Sequence, residues 1–260
     1  MNVMAKSISP LDRHFSLPSV RTVQASRPLA WLKAGWSDLR DNLGASLTYG
    51  LALSIAGFLI LNYAADIPYL LTAAISGFFL IGPVAAAGLY VISRRHEQGQ
   101  KSSFAQSLTG LRDEGESLLF FGALLAFVLL SWERLSAILF ALFFKGNVPD
   151  IGNFVKDLLL SGDYVQFIAV YLLAGGILAA TVFALSAFAI PMLLDRKVDV
   201  VTAMMTSFRV TEKNLGAMFI WAMLIVACIA IGFATMMIGM IVLLPLLGHA
   251  TWHAYKDLVE

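Results

Sequence analysis

The sequence has few of the residues on which most enzymes and metalloproteins rely. It contains a single cysteine, Cys228, and 4 histidines, and only 13% of its residues are charged. One cysteine excludes an intramolecular disulfide, and Cys228 lies in an apolar run without the neighbouring cation that would favour a thiolate. No segment stands out as a catalytic, metal-binding or nucleotide-binding motif. We therefore predict that the protein is not an enzyme and carries no cofactor.

The scarcity of charge accompanies an abundance of apolar residues, which make up 59% of the chain. Soluble proteins are about 45–50% apolar and about 25% charged, so a soluble domain is excluded. The net charge is only +1, which gives no reason to expect a nucleic-acid partner. We expect membrane lipids as partners, together with either another membrane protein or a second copy of this chain.

Apolar runs of the length of a membrane helix, about 20 residues, recur along the chain. The predicted crossings are 46–65, 69–93, a third that starts at residue 117, 164–194, and two more in the uncharged run 215–247, which a hairpin near 232–235 divides. All of the 18 Lys and Arg residues except Arg134, Lys145 and Lys156 then fall on one side. Positive residues mark the cytoplasmic side. Both termini are therefore predicted to be cytoplasmic, with residues 1–27 as a flexible cytoplasmic tail.

The crossings follow an internal repeat. The four residues from Asn42 are identical to the four from Asn214, and the glycine, proline, aromatic and basic positions of the second crossing align without gaps on those of the sixth. Short amphipathic stretches precede the hairpins, and Ser103 and Asp199 are suited to cap two of them. We predict an all-α membrane protein with a six-helix transmembrane domain, 28–260. It consists of three tandem units of interfacial helix plus transmembrane hairpin: 28–93, 102–194 and 199–257.

The predicted interfacial helices combine an apolar side with basic residues. Helices of this kind lie in the membrane surface with the apolar side in lipid. The basic residues that can reach phosphate head groups are Lys33, Arg40, Arg112, Arg209 and Lys213. We predict that these helices anchor the bundle.

Two histidines and one charged pair are the candidate binding residues. His249 and His253 are four residues apart, so both rings project from one face of the sixth helix, at the spacing with which a helix can hold a metal. No third ligand is apparent in the sequence. We therefore interpret them as interfacial imidazoles bonded to neighbours or head groups, and we predict no metal site.

Glu133 and Arg134 are charged residues inside an otherwise apolar stretch, where ionisable side chains are candidates for function. They lie about 24 Å along a helix that starts at residue 117, which is near the outer boundary of the membrane. A structural corner that redirects the chain into an outer-surface helix is favoured over a solute or proton site.

Four segments, 82–95, 132–144, 193–204 and 244–255, resemble an uncharacterised family of bacterial integral membrane proteins that is catalogued as a domain of unknown function. The resemblance covers about residues 28–258. It implies a location in the bacterial inner membrane, but no activity or site. Some members are labelled as cytochrome c oxidase subunit I. That chemistry needs several histidines inside the membrane to ligate haem and copper, whereas only His249 and His253 lie near a span here.

Two classes of function fit these observations. The first is a non-enzymatic membrane scaffold or assembly factor, because few polar groups lie near the membrane midplane, where an ion or sugar pathway needs them. The alternative is a transporter or lipid-handling protein with a cavity between the repeats.

Overall fold

The computed structural model describes residues 17–64, 82, 84–112, 115–144 and 164–260. The helices, numbered here in chain order, are α1 (Arg27–Asp41), α2 (Leu43–Ala64), α3 (Ala87–Glu97), α4 (Phe104–Gly110), α5 (Gly115–Phe144), α6 (Val165–Ser186), α7 (Ala189–Asp195), α8 (Val200–Lys213), α9 (Leu215–Ala234) and α10 (Met240–Leu258).

Four of the described segments are long and apolar enough to cross a membrane. They are Leu43–Tyr63, Gly115–Phe144, Val165–Asp195 and Leu215–Ala234. The predicted second crossing, 69–93, lies outside the described residues except at 82 and 84–93. The predicted sixth crossing corresponds to α10, whose second half is richer in polar residues.

The helix contacts follow the three predicted units in a cyclic pattern. The interfacial helix of the second unit, α4, packs across α2 and α3 of the first, and α8 of the third unit packs across α5, α6 and α7 of the second. In the same way α1 packs across α9 and α10 of the third unit, which closes the cycle. The second-span helices α3, α7 and α10 contact one another pairwise. They supply much of the core, including Leu89, Ile190 and Ala250, which are fully buried.

The two matched asparagines form the same corner at two places in the chain. Asn42 joins α1 to α2 with φ −127° and ψ 39°, and Asn214 joins α8 to α9 with φ −128° and ψ 36°. At each corner the backbone N–H and the side-chain amide donate to the carbonyl four residues earlier, that of Asp38 or Val210. The sequence repeat is therefore a repeated turn from an amphipathic helix into an apolar helix.

The predicted helix caps of the second and third units are confirmed. Ser103 Oγ accepts a hydrogen bond from the backbone N–H of Gln106, whose side chain accepts one from the backbone N–H of Ser103. At the start of α8, the carboxylate of Asp199 accepts hydrogen bonds from both the backbone and the hydroxyl of Thr202. Each interaction satisfies donors that the first turn of a helix leaves unpaired.

The predicted division of the long run 215–247 is also confirmed. The turn lies between α9 and α10, slightly later than predicted, and it places Met236 and Met237 in the left-handed region, with φ of 50° and 69°. One helix over the whole run would measure about 50 Å, well beyond a hydrocarbon core of about 30 Å.

The predicted corner at Glu133 and Arg134 is wrong, because α5 continues through both residues to Phe144. Arg134 is 81% exposed and pairs with Glu133 at 3.4 Å. Trp132, by contrast, packs inward, with its ring 5.1 Å from that of Tyr171. The charged pair thus does not end the helix: Arg134 lies on its outer side, and the side chain of Glu133 is 21% exposed. At 30 residues, or about 45 Å, α5 must tilt or extend beyond the hydrocarbon core.

The segment before α1 is attached to the C-terminus, which corrects the last part of the predicted flexible tail. Val20 and Val259 form an antiparallel bridge, flanked by the bonds Arg21 N–H to Leu258 O and Glu260 N–H to Ser19 O. Residues 1–16 of the predicted tail lie outside the described residues. We call the end of the bundle where 19–23 and 258–260 meet the terminal face.

Candidate functional site

His249 and His253 project from α10 toward α1, α2 and α3, one helical turn apart. His249 is fully buried, and the side chain of His253 is 23% exposed. The two rings therefore differ in environment, although the sequence predicts an interfacial position for both. His249 lies within the packed bundle, and His253 lies between it and the terminal face.

His249 is hydrogen-bonded through both ring nitrogens to serines of two other helices. Its Nδ1 lies 2.7 Å from Ser93 Oγ of α3, and its Nε2 lies 2.9 Å from Ser46 Oγ of α2. Ser46 and Ser93 are themselves fully buried. A buried imidazole with two partners is fixed in position and orientation.

Asp38 of α1 joins the two histidines into one network. Its Oδ2 accepts hydrogen bonds from the Ser93 hydroxyl at 2.6 Å and from His253 Nε2 at 2.9 Å. Asp38 is only 3% exposed. Burial disfavours the carboxylate, but the hydrogen bonds from His253 and Ser93 and the nearby imidazoles outweigh it, so the pKa of Asp38 is lowered. We therefore treat Asp38 as ionised at neutral pH.

The direction of each hydrogen bond follows from the ionised Asp38. A carboxylate can only accept, so the Ser93 hydroxyl donates to Asp38. Ser93 has no second proton, so His249 must donate to it from Nδ1. Because burial disfavours a charged imidazolium, Nε2 is unprotonated and accepts from Ser46. The chain thus runs in one direction, from Ser46 through His249 and Ser93 to Asp38.

The network is connected to solvent at the terminal face. His96 of α3 is one-third exposed, and its Nε2 lies 3.7 Å from Asp38 Oδ1 and 3.5 Å from Asp41 Oδ2. Asp41 is 52% exposed. Asp38, His253, His96 and Asp41 therefore form a partly hydrated rim above the buried serines and His249.

At its inner end the network reaches a close contact between α2 and α10. Pro245 has no N–H, so the carbonyl of Ile241 has no partner of the usual helical kind. Gly50 of α2 lies directly against that carbonyl, and a Cβ at residue 50 would overlap it. The lack of a side chain at Gly50 allows the two helices to approach at the point where Pro245 interrupts the bonding of α10.

The corresponding interfaces between the other units also contain hydroxyl groups, and the one between the second and third units has an ionisable cluster of its own: Asp195 Oδ2 accepts from the buried Tyr255 hydroxyl at 2.8 Å and lies 3.2 Å from Lys256 Nζ. Between the first and second units, Tyr49 OH lies 2.8 Å from Ser107 Oγ. Between the second and third, Ser207 Oγ donates to Ala184 O and accepts from Phe188 N–H. The interface between the third unit and the first differs from these in its two histidines, of which His249 is fully buried, and this marks it as the candidate site.

The predicted absence of a metal site remains a prediction. Among the described residues, no group of three or more His, Cys, Asp and Glu side chains could hold a metal ion. The ring nitrogens of His249 contact serines, and that of His253 contacts one carboxylate. The chemistry that these contacts allow is proton donation and acceptance.

The predicted lipid-contacting basic residues lie on or near the interfacial helices. Lys33, Arg40, Arg112 and Lys213 are exposed, and Arg209 is half-buried. Large apolar side chains are exposed on the same helices, namely Leu29 and Trp36 on α1 and Val201 and Phe208 on α8. Leu29 and Trp36 precede Asn42 by the same numbers of residues as Val201 and Phe208 precede Asn214. Lipid contact through these residues stays a prediction.

Neither Glu133 nor Arg134 contributes to the histidine network; both lie on α5. Sequence reasoning found His249 and His253 by their spacing and missed Asp38, Ser46 and Ser93. One signal was available: Asp38 lies on the side of α1 opposite Trp36 and one turn before the repeated Asn42 corner, where α8 has Val210.

Comparison with known proteins is informative for one part of the chain. Residues 70–195 match a family described as "Predicted integral membrane protein (DUF2189)". The DUF2189 match is narrower than the resemblance expected over residues 28–258. It includes Ser93 and His96 but not Asp38, Ser46, His249 or His253. No curated protein and no solved structure matches the chain. With its apolar helices, the DUF2189 match indicates an integral membrane protein of unknown function.

Proposed function

We propose that the protein is a non-enzymatic scaffold or assembly factor of the bacterial inner membrane, which works through lipid and protein contacts. The observation that carries the proposal is the hairpin of α5 and α6, which has its own aromatic core and large exposed apolar surfaces. Both termini would be cytoplasmic, because Arg21, Arg196 and Lys256 gather at the terminal face, as expected of a cytoplasmic side.

The distal half of the hairpin is packed mainly on itself. Leu139, Phe144 and Phe167 form a buried cluster separate from the main core, extended by Phe140 and Tyr171. The Phe140 and Phe167 rings meet edge to face with centroids 4.9 Å apart, a stabilising geometry for aromatic pairs. This cluster supports a hairpin that is stiff without help from the rest of the bundle.

The outer surface of the hairpin offers large apolar side chains for contact with another membrane protein. The most exposed on α5 are Leu119, Phe127, Leu130 and Leu142, at 62–76% exposure. On α6, Leu172, Leu173 and Ile177 are 62–67% exposed. Helices in lipid associate by packing, so a stiff and uneven apolar surface can select a partner by shape.

Native mass spectrometry of the protein extracted in a mild detergent tests the proposal. We expect a stoichiometric partner chain, which is lost when Phe127, Leu130 and Leu142 are changed together to Ala. The matched control changes Phe219, Met223 and Ile231 of α9, which are 53–69% exposed, and it should keep the partner. A lone chain that holds one selective lipid would contradict a scaffold and favour the second candidate.

The second candidate is a transporter or lipid-handling protein. One observation favours it: the chain of buried polar groups around His249, which continues inward from the terminal face. Substituting His249 by Gln separates the two candidates, because a loss of substrate flux with intact folding would favour transport.

A further inference from the structure

The hydrogen bonds around His249 form a single directed chain that begins inside the bundle and ends at the rim. Ser46 donates to His249 Nε2 over 2.9 Å, His249 Nδ1 donates to Ser93 over 2.7 Å, and Ser93 donates to Asp38 over 2.6 Å. Every link is within hydrogen-bonding distance and joins groups that can both donate and accept, apart from the terminal carboxylate. A proton can be transferred along a chain of hydrogen bonds that all run in one direction.

The outer end of the chain can exchange protons with water. Asp38 contacts His253, which is 23% exposed, and lies near His96, which is 34% exposed. The titratable groups that surround the chain are Asp38 and Asp41 on α1, His96 on α3, and His249 and His253 on α10. A proton on Asp38 therefore lies beside two imidazoles that reach solvent.

The inner end of the chain continues along α2. Ser46, Gly50 and Ser54 occupy successive turns of one helix face, so the row extends about 12 Å beyond Ser46. Ser54 is 5% exposed, and its hydroxyl has no hydrogen-bond partner within the described part of the chain. The carbonyl of Ile241, freed by Pro245, lies beside Gly50 between the two serines. Polar groups thus extend deeper than the histidines alone.

Such a row of buried polar groups destabilises the fold and is not explained by packing alone. A buried hydroxyl without a partner is destabilising, and buried ion pairs are often no better than apolar packing. The other two interfaces between units use hydroxyl groups such as those of Ser107 and Ser207, and the cluster around Asp195 ends in the exposed amine of Lys256. The chain at the third interface instead links a fully buried histidine to a carboxylate through a serine, which is suited to proton transfer.

We propose that Ser46, His249, Ser93 and Asp38 form a proton relay between the α2–α10 interface and the terminal face, with Ser54 as the next group inward. The inference goes beyond the scaffold role and rests on the second candidate, transport, to which it gives a substrate, the proton. It predicts that the protein conducts protons across a membrane.

The relay step balances as a set of linked proton transfers. A proton arriving at Ser46 forms a new O–H bond while the original Ser46 proton passes to Nε2 of His249. The Nδ1 proton of His249 passes to Ser93, and the Ser93 proton passes to Asp38. One proton has entered and the Asp38 carboxylate has become a neutral acid, which then releases its proton at the rim. The transfer leaves the proton of His249 on Nε2, so the ring turns over and the two hydroxyls rotate to restore the starting arrangement before the next proton enters. No electron is transferred, and no co-reactant is needed.

Proton flux into liposomes that contain the full-length protein and a trapped pH-sensitive dye tests the relay, with a potassium gradient and valinomycin as the driving force. The wild type should conduct protons above the level of protein-free liposomes. Ser93→Ala should lower the flux at least about tenfold, and Ser93→Thr, which keeps the hydroxyl, should restore most of it. The matched control is Ser131→Ala, which removes an exposed hydroxyl that bonds only within α5.

Wild-type flux equal to that of empty liposomes would overturn the proposal, and so would an unchanged flux in a folded Ser93→Ala variant. If Ser93→Ala does not fold, the proton flux of the wild type in heavy water is compared with its flux in ordinary water. Flux through a relay should fall in heavy water, because every step transfers a proton, whereas an unchanged flux would exclude the relay.

Discussion

Replacing Asp38 by Ala removes a buried acceptor that links α1 to both α3 and α10. Asp38 Oδ2 accepts two hydrogen bonds, from Ser93 and His253, and its side chain is 5% exposed. Without it, two donors lose their partner in a buried site, at roughly 1–3 kcal/mol each. The variant should therefore lose about 3 kcal/mol of stability, close to the lower end for breaking a buried charged pair.

A loss of that size should lower the melting temperature by roughly 6–12 °C, using about 2–4 °C per kcal/mol for a chain of this length. The measurement is thermal unfolding of the detergent-solubilised protein, followed by tryptophan fluorescence. The control is Asp41→Ala, which removes a half-exposed carboxylate three residues along α1, and it should cost less than about 1 kcal/mol. Equal melting temperatures for the two variants would refute the role given to Asp38.

Three further predictions concern packing, the termini and pH. Gly50→Ala should destabilise the protein by about 1–3 kcal/mol in the same thermal assay, because its Cβ overlaps the Ile241 carbonyl; wild-type stability would contradict this. A Val20→Cys, Val259→Cys double variant should form a disulfide, since facing residues of such a bridge lie about 4.5 Å apart. Oxidation should remove two thiols in a thiol count, and their persistence would contradict the bridge. Acid should also destabilise the protein. The pKa of Asp38 is lowered from 3.8, so its contribution is complete above that value and is lost as the pH falls below it; the melting temperature of Asp38→Ala should accordingly fall less steeply there.

The repeated elements of the fold were predictable because they leave local signals. The matched residues after Asn42 and Asn214 indicate the two corners, and the caps at Ser103 and Asp199 mark helix starts that a short-range pattern defines. The uninterrupted run 215–247 requires a turn because of its length alone. Each of these features is determined within a few residues along the chain.

The candidate site was predictable only in part, because its members come from four helices. His249 and His253 are recognisable by their spacing on α10. Their partners Ser46 and Ser93 are single small polar residues with no spacing to mark them, and only the cyclic packing of the units brings them together. The error at Glu133 has a different origin: a charged pair whose Arg134 reaches outward can be accommodated without ending the helix.

The most direct test of the histidine network is nitrogen NMR of the protein with labelled histidine in a lipid bilayer. The chain has 4 histidines, so the signals can be assigned with single His→Gln variants. The account predicts that His249 is neutral at pH 7, with a proton on Nδ1 and none on Nε2, and that Ser93→Ala alters this signal. A proton on Nε2, or a His249 that exchanges freely with water and ignores the loss of Ser93, would contradict the directed chain on which both the site and the relay rest.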